Sequence, residues 1–164
     1  MQKLSGADFE PVRPFFEAAA EAAQRATCRK ARCGSVIVKE GRVIGTGYNS
    51  PLLDKEENRT CDNDYDASKK RAYGRTCCVH AEWRAILDAS KRYPDKIDGS
   101  TIYFMRIDDD GNFTPAGDPF CTVCSRLAAE SGIAYFALWN EDGAYIYDAE
   151  EYNRKSYEFF SQTV

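Results

Sequence analysis

Short runs of β-favouring apolar residues alternate along this chain with stretches whose apolar residues recur at helical spacing, and that alternation admits few folds. Ser35-Val36-Ile37-Val38 and Val43-Ile44-Gly45-Thr46-Gly47-Tyr48 read as two strands, with Glu40-Gly41 as the tight turn between them. Thr101-Ile102-Tyr103-Phe104-Met105 reads as a third strand, residues 133–139 as a fourth and Ala144-Tyr145-Ile146-Tyr147 as a fifth. Helices are expected over 14–27, where Phe16, Ala19, Ala20, Ala23 and Ala26 share a face, over 79–91 and over 121–131, the last closed by Gly132. A final helix is expected from about Ala149. The class is therefore α/β. The turn at Asn140-Glu141-Asp142-Gly143 is too short for anything but an antiparallel pair, whereas strands separated by a helix can run parallel, so the sheet should be mixed. No repeat or composition shift marks a linker, and 164 residues suit one domain.

Two segments stand outside this rhythm. Residues 49–75 form a polar, charged stretch too long for an ordinary connection, and residues 108–119, with Gly111, Pro115 and Gly117, read as loop. The charge balance, 22 basic against 26 acidic residues, disfavours a protein that binds by neutralising many phosphates, so a nucleic-acid polymer is not the expected partner. The first fourteen residues lack a basic segment followed by an apolar one, and nowhere do 18 apolar residues run together, so a cytoplasmic setting without membrane attachment is expected. In that setting seven cysteines read as thiols, metal ligands or core residues rather than disulfides.

A single histidine makes the search for a metal site short. His80-Ala81-Glu82 opens the helix at 79–91, and Cys121-Thr122-Val123-Cys124 opens the next one. Cysteines at i and i+3 share a helix face, and a helix N-terminus favours the thiolates that zinc requires. With His80 they make an N,S,S set that leaves a fourth tetrahedral position open, the pattern of a catalytic zinc rather than a structural one. Glu82, two residues beyond the histidine, can reach a water at that position without occupying the metal, as a proton shuttle must. Read separately, the cysteine pair could equally be a redox couple and the histidine a structural residue.

His80-Ala81-Glu82 followed by Cys121-x-x-Cys124 resembles the zinc-dependent cytidine and deoxycytidylate deaminase superfamily. Cys28-Arg29-Lys30-Ala31-Arg32-Cys33-Gly34-Ser35, then Gly45-Thr46-Gly47-Tyr48-Asn49-Ser50-Pro51, is similar to the first hairpin and substrate loop of the deoxycytidylate branch. With residues 78–89 and 121–136, the resemblance covers about half the chain. It implies a three-layer α-β-α sandwich around a mixed five-stranded sheet, and one zinc held by His80, Cys121 and Cys124. It also implies Glu82 as proton shuttle, Asn49 at the sugar and the Ala81 backbone beside the base. The activity implied is hydrolytic deamination of a cytosine nucleotide or nucleoside to the uracil product and ammonia, by a homo-oligomer. Guanine, a pterin or a base in tRNA or single-stranded nucleic acid are alternative substrates, and an inactive zinc-bound scaffold is an alternative of another class.

The pattern has departures. Phe120 separates Pro119 from Cys121, where the family has proline directly before the cysteine. The loop at 108–119 carries Asp109, Asp110 and Asp118, an acidic rim unfavourable to phosphate unless another segment compensates. The expected hairpin between the last two strands resembles the free-cytidine branch. Cys28, Cys61, Cys77 and Cys78 could hold a second, structural zinc, as the resemblance to some deoxycytidylate deaminases implies. Arg71 and Arg75 are candidates for a phosphate contact, and Trp139 for stacking on a base.

Overall fold

A computed structural model describes residues 1–61 and 77–161, with the side chains of 160 and 161 left aside. The strands β1 (Gln2–Leu4), β2 (Arg32–Lys39), β3 (Arg42–Tyr48), β6 (Thr101–Ile107), β7 (Phe113–Thr114), β8 (Tyr135–Asn140) and β9 (Gly143–Asp148) form one sheet, and β4 (Ser50–Pro51) pairs with β5 (Cys78–Val79) in another. The helices are α1 (Arg13–Gln24), α2 (Ala81–Arg92), α3 (Thr122–Glu130) and α4 (Ala149–Ser161).

The main sheet runs in the order β1-β9-β8-β6-β2-β3, with β7 hydrogen-bonded to β6. β6 and β8 are parallel, with α3 in the crossover between them, and the other pairs are antiparallel, so the sheet is mixed. The five expected strands are β9, β8, β6, β2 and β3, consecutive in that order. β1 and β7 bring it to seven, because segments of three and two residues are too short to show an alternating pattern in sequence. Glu40 and Gly41 both adopt positive φ, 52° and 72°, the conformation of a two-residue hairpin turn.

Both faces of the sheet are covered, which is why β2 is buried along almost its whole length. On one face Phe16, Ala19 and Ala23 of α1 pack with Val36, Tyr103, Met105 and Ala137. On the other, Ala81, Ala85 and Ile86 of α2 and Ala128 of α3 pack with Ile37, Ile102, Phe104 and Phe136. α4 joins this second layer through Tyr152, which stacks on Phe136 at 3.9 Å between ring centroids. The described residues thus form a three-layer sandwich, with α1 on one face of the sheet and α2, α3 and α4 on the other. Among the described residues no helix is long and apolar enough to cross a membrane.

Gly34, Gly45 and Gly47 bring the helices unusually close. A Cβ on Gly34 would lie 2.0 Å from the carbonyl oxygen of Ala19, so α1 rests on β2 backbone to backbone. A Cβ on Gly47 would lie 2.2 Å from the carbonyl oxygen of Ala81, so the first turn of α2 is seated directly on β3. Asp88 adds a tether on the same helix, accepting a hydrogen bond from the Thr46 backbone N–H at 2.9 Å.

Candidate active site

The ends of five elements meet at one edge of this sandwich: the start of β2, the residue after β3, the end of β6, and the N-termini of α2 and α3. His80 is the N-cap of α2 in extended conformation, and Glu82 lies in that helix's first turn. Cys121 is the N-cap of α3, and its Sγ accepts a hydrogen bond from the Cys124 backbone N–H at 3.2 Å. That bond fixes both sulfurs on the inner face of the first turn. Phe120, the residue inserted before Cys121, turns toward α4 and meets Phe159 at 6.1 Å between centroids. The insertion leaves Cys121 in the capping position.

The His80 Nδ1 lies 3.1 Å from the Cys124 Sγ and 3.5 Å from the Cys121 Sγ. The two sulfurs are 2.7 Å apart, well beyond the ~2.05 Å of a disulfide. All three donors lie within 4.8 Å of one another. Burial alone would lower the pKa of His80, but its hydrogen bond to Cys121 and the nearby charge of Glu82 raise it to about 9. Burial, with the neighbouring Cys121, pushes the Cys124 thiol well above its ordinary value. The metal-free set therefore holds protons that a divalent cation would displace, and its N,S,S chemistry suits zinc. The residues fit the metal that the sequence implied.

Glu82 is fully enclosed beside this set. Burial and the charge of Cys121 raise its carboxyl above the ordinary value, while His80 opposes the shift. Its hydrogen-bond partner is the Cys124 thiol. A buried carboxyl that readily holds a proton, next to a metal set with an open position, is equipped to carry protons between a water and a bound base. Ala81, between ligand and carboxyl, is completely buried against β3.

Asn49 is buried beside the same set, and its amide is largely spent on the backbone. The Oδ1 accepts from the Cys33 N–H at 2.9 Å and the Nδ2 donates to the Ala31 carbonyl at 2.8 Å. One amide hydrogen remains for a ligand. Asn49 lines a cavity of about 140 Å³ with His80, Lys30, Cys28, Cys61, Cys77 and Cys78. The four cysteines sit there as contacts between neighbours rather than as one converging set: Cys28 with Cys78, Cys61 with Cys77, and Cys77 with Cys78 at 3.9 Å. The hydrogen bond from Cys78 is the main cause that pulls the Cys28 thiol down to about 5.

Trp139 corrects the expectation of base stacking. It packs edge-on against Phe113 at 5.6 Å and belongs to the cluster under α1, on the face of the sheet away from the metal set. The strand alternation decides this, since Leu138 before it points to the opposite core. Arg71 and Arg75 lie outside the described residues. Two residues not singled out in the sequence do stand at the site. The Trp83 ring lies 5.8 Å from that of His80, one turn along α2. Arg106 occupies an inward position of β6 facing Cys33 of β2, and a charged residue in an otherwise apolar strand was the signal for it.

The model of the cytidine and deoxycytidylate deaminase zinc-binding region matches residues 10–138. The deoxycytidylate deaminase of Mycobacterium phage D29 is 35% identical over 127 residues, which are 73% of this chain and 86% of that protein. The deoxycytidylate deaminase of Saccharomyces cerevisiae is 41% identical over 124 residues, and the chain spans about a third of it, 34%. Among solved structures, the cytidine deaminase of Burkholderia pseudomallei has a TM-score of 0.56 at 20% identity, covering 85% of this chain and 94% of that one. The deoxycytidylate deaminase of cyanophage S-TIM5, in complex with dCMP and dUMP, has a TM-score of 0.55 at 20% identity over 77% of this chain and 79% of that one. At these identities the solved structures bear on the fold alone.

Proposed function

This chain belongs to the cytidine and deoxycytidylate deaminase zinc-binding family, and from that premise we propose that it deaminates free deoxycytidylate in the cytoplasm, giving deoxyuridylate and ammonia. The observation that carries the reading is the convergence of His80, Cys121 and Cys124 within 4.8 Å beside an enclosed Glu82 carboxyl. The choice of deoxycytidylate is supported by the phage D29 relative, whose likeness extends over most of both chains.

Zinc bound by His80 Nδ1 and the two cysteine sulfurs would supply Lewis acidity, making a water nucleophilic near neutral pH. The chain's own residues do the rest. The reaction exchanges the exocyclic amine of the base for the oxygen of water, so protons must leave that water and reach the ring nitrogen and the departing amine. Glu82 carries them: its carboxylate accepts a proton, and burial keeps that proton available for delivery. The seat of α2 on Gly47 holds the carboxyl in register with the ligands. Asn49 braces the loop between α1 and β2 and offers its remaining amide hydrogen to the sugar.

A nucleoside substrate is the second reading, favoured by the antiparallel β8–β9 hairpin, which resembles the free-cytidine branch. Ammonia release from zinc-loaded protein, measured against deoxycytidylate, deoxycytidine, cytidine, guanine, a pterin and single-stranded oligonucleotide, separates these. Glu82-dependent release from deoxycytidylate supports the proposal, and release from deoxycytidine alone replaces it with the second reading. No release from any compound would point to an inactive scaffold. Metal analysis of the same sample counts one zinc per chain for the site described, or two where the cysteines of the adjoining cavity hold another. The reading includes a homo-oligomer, whose order light scattering gives.

A further inference from the structure

Arg106 is the next-to-last residue of β6, and its side chain lies on the face of the sheet that carries the metal ligands. Ile102 and Phe104, at the same strand parity, belong to the core beneath α2 and α3. The guanidinium carbon is 5.4 Å from the ring centroid of Phe120, the residue before Cys121, and 6.0 Å from that of Phe104. Its Nε is buried without a hydrogen-bond partner. The Cys33 thiol, opposite it on β2, is within hydrogen-bond reach. Among the described residues no carboxylate pairs with it. The acid nearest in sequence, Asp108, is committed to its own turn, accepting from the Asn112 backbone N–H at 2.8 Å and from the Asn112 Nδ2 at 3.1 Å.

A guanidinium stays charged at any physiological pH, and holding one partly buried without a counter-charge is costly. The two phenyl rings offset part of that cost and fix the group in place, but they leave most of its N–H donors unused. An anion at this position would complete them. We infer that Arg106 binds the 5′-phosphate of the substrate and sets the preference for nucleotide over nucleoside. The inference rests on the proposed function, since the base and sugar of deoxycytidylate are neutral and the phosphate carries its charge. A guanidinium fork matches two phosphate oxygens at once. Arg106 also answers the acidic loop that follows it, because a fixed cation at the root of that loop counters the field of Asp109, Asp110 and Asp118 where a phosphate must approach.

The test is a binding titration on zinc-loaded protein carrying Glu82→Ala, in which turnover does not interfere. Adding Arg106→Gln should weaken deoxycytidylate about 10- to 100-fold, the worth of a charge-assisted pair, and leave deoxycytidine within about twofold. Arg106→Lys keeps the charge without the fork and should fall between. It also carries the test if Arg106→Gln does not fold. Equal weakening of both ligands, no change in either, or a parent protein that binds the two ligands equally well overturns the inference. Turnover separates it from the proposal beneath: a protein that binds deoxycytidylate through Arg106 but releases no ammonia overturns the function alone. Deamination of deoxycytidylate with an unaltered KM in Arg106→Gln overturns the role of Arg106 alone.

Discussion

The Nδ1 of His80 lies 3.1 Å from the Sγ of Cys124 although 44 residues separate them in the chain. Each sits at the beginning of a helix that follows a separate crossing of the sheet. The contact therefore depends on where the sheet places both helix starts. Under the proposed function, that dependence divides the residues around it into those that would hold the metal, those that would do chemistry beside it and those that position the helices.

Ligand and shuttle should separate cleanly. His80→Ala or Cys124→Ala removes a donor, so the purified protein should contain little zinc and show no turnover. Glu82→Ala removes no donor: zinc content and melting temperature should match the parent, while kcat falls by about 10²- to 10⁴-fold. Metal analysis with turnover of the same samples checks this, and zinc loss in Glu82→Ala would contradict the assignment.

Much of this arrangement was legible in the sequence because its signals are local. His80-Ala81-Glu82 and Cys121-Thr122-Val123-Cys124 each fall within one helical turn, and the hairpin at Glu40-Gly41 is set by two adjacent positive φ values. Long-range placement was harder to read. The side of the sheet taken by Trp139 depends on strand parity relative to α1, and the strands at Gln2–Leu4 and Phe113–Thr114 exist only because a partner strand offers a free edge. Arg106 showed in the sequence only as a charge in an apolar strand, and its place beside the site was hidden for the same reason. Its neighbours Cys33 and Phe120 come from 73 residues before it and 14 after it, and no local pattern joins them.

Gly47 and Gly45 should respond differently to alanine. At Gly47 the added Cβ would meet the Ala81 carbonyl oxygen at 2.2 Å, in the turn that carries His80 and Glu82, whereas at Gly45 it would meet the Ala85 carbonyl at 2.4 Å, one turn farther along α2. Each should cost about 1–3 kcal/mol of stability through overpacking. Gly47→Ala should in addition weaken zinc binding and lower kcat in the fraction that remains folded. Chemical denaturation beside metal titration distinguishes the two, and equal zinc affinity in both variants would refute the positioning role.

The two faces of the sheet predict opposite outcomes for two aromatic residues. Trp139→Phe preserves packing against Phe113 on the α1 side and should leave KM unchanged for any substrate. Phe136 is completely buried and stacked on Tyr152 on the other side, so Phe136→Ala should cost about 3–5 kcal/mol and loosen α4 from the sheet. Steady-state kinetics for the first and a denaturation curve for the second are sufficient. A raised KM in Trp139→Phe would return the residue to the substrate pocket.

The cysteines should differ sharply in reactivity. In metal-free protein Cys28, pulled down to about 5 by its hydrogen bond from Cys78, is a thiolate at neutral pH and lines an open cavity, so an alkylating reagent should modify it readily. Cys33, pushed up to about 12 by burial, should remain unmodified. The sign follows from the shift. Because the folded value of Cys28 is lowered, its thiolate persists down to about pH 5, and labelling should slow only as the pH falls through that value. An ordinary thiol would already have slowed below about 8.5. Mass-spectrometric mapping of alkylation at pH 7 and pH 4 checks both residues. Adding zinc gives a further reading: protection of Cys28 with a second equivalent of metal would place an ion in the cysteine cavity, whereas undiminished labelling would confine zinc to His80, Cys121 and Cys124.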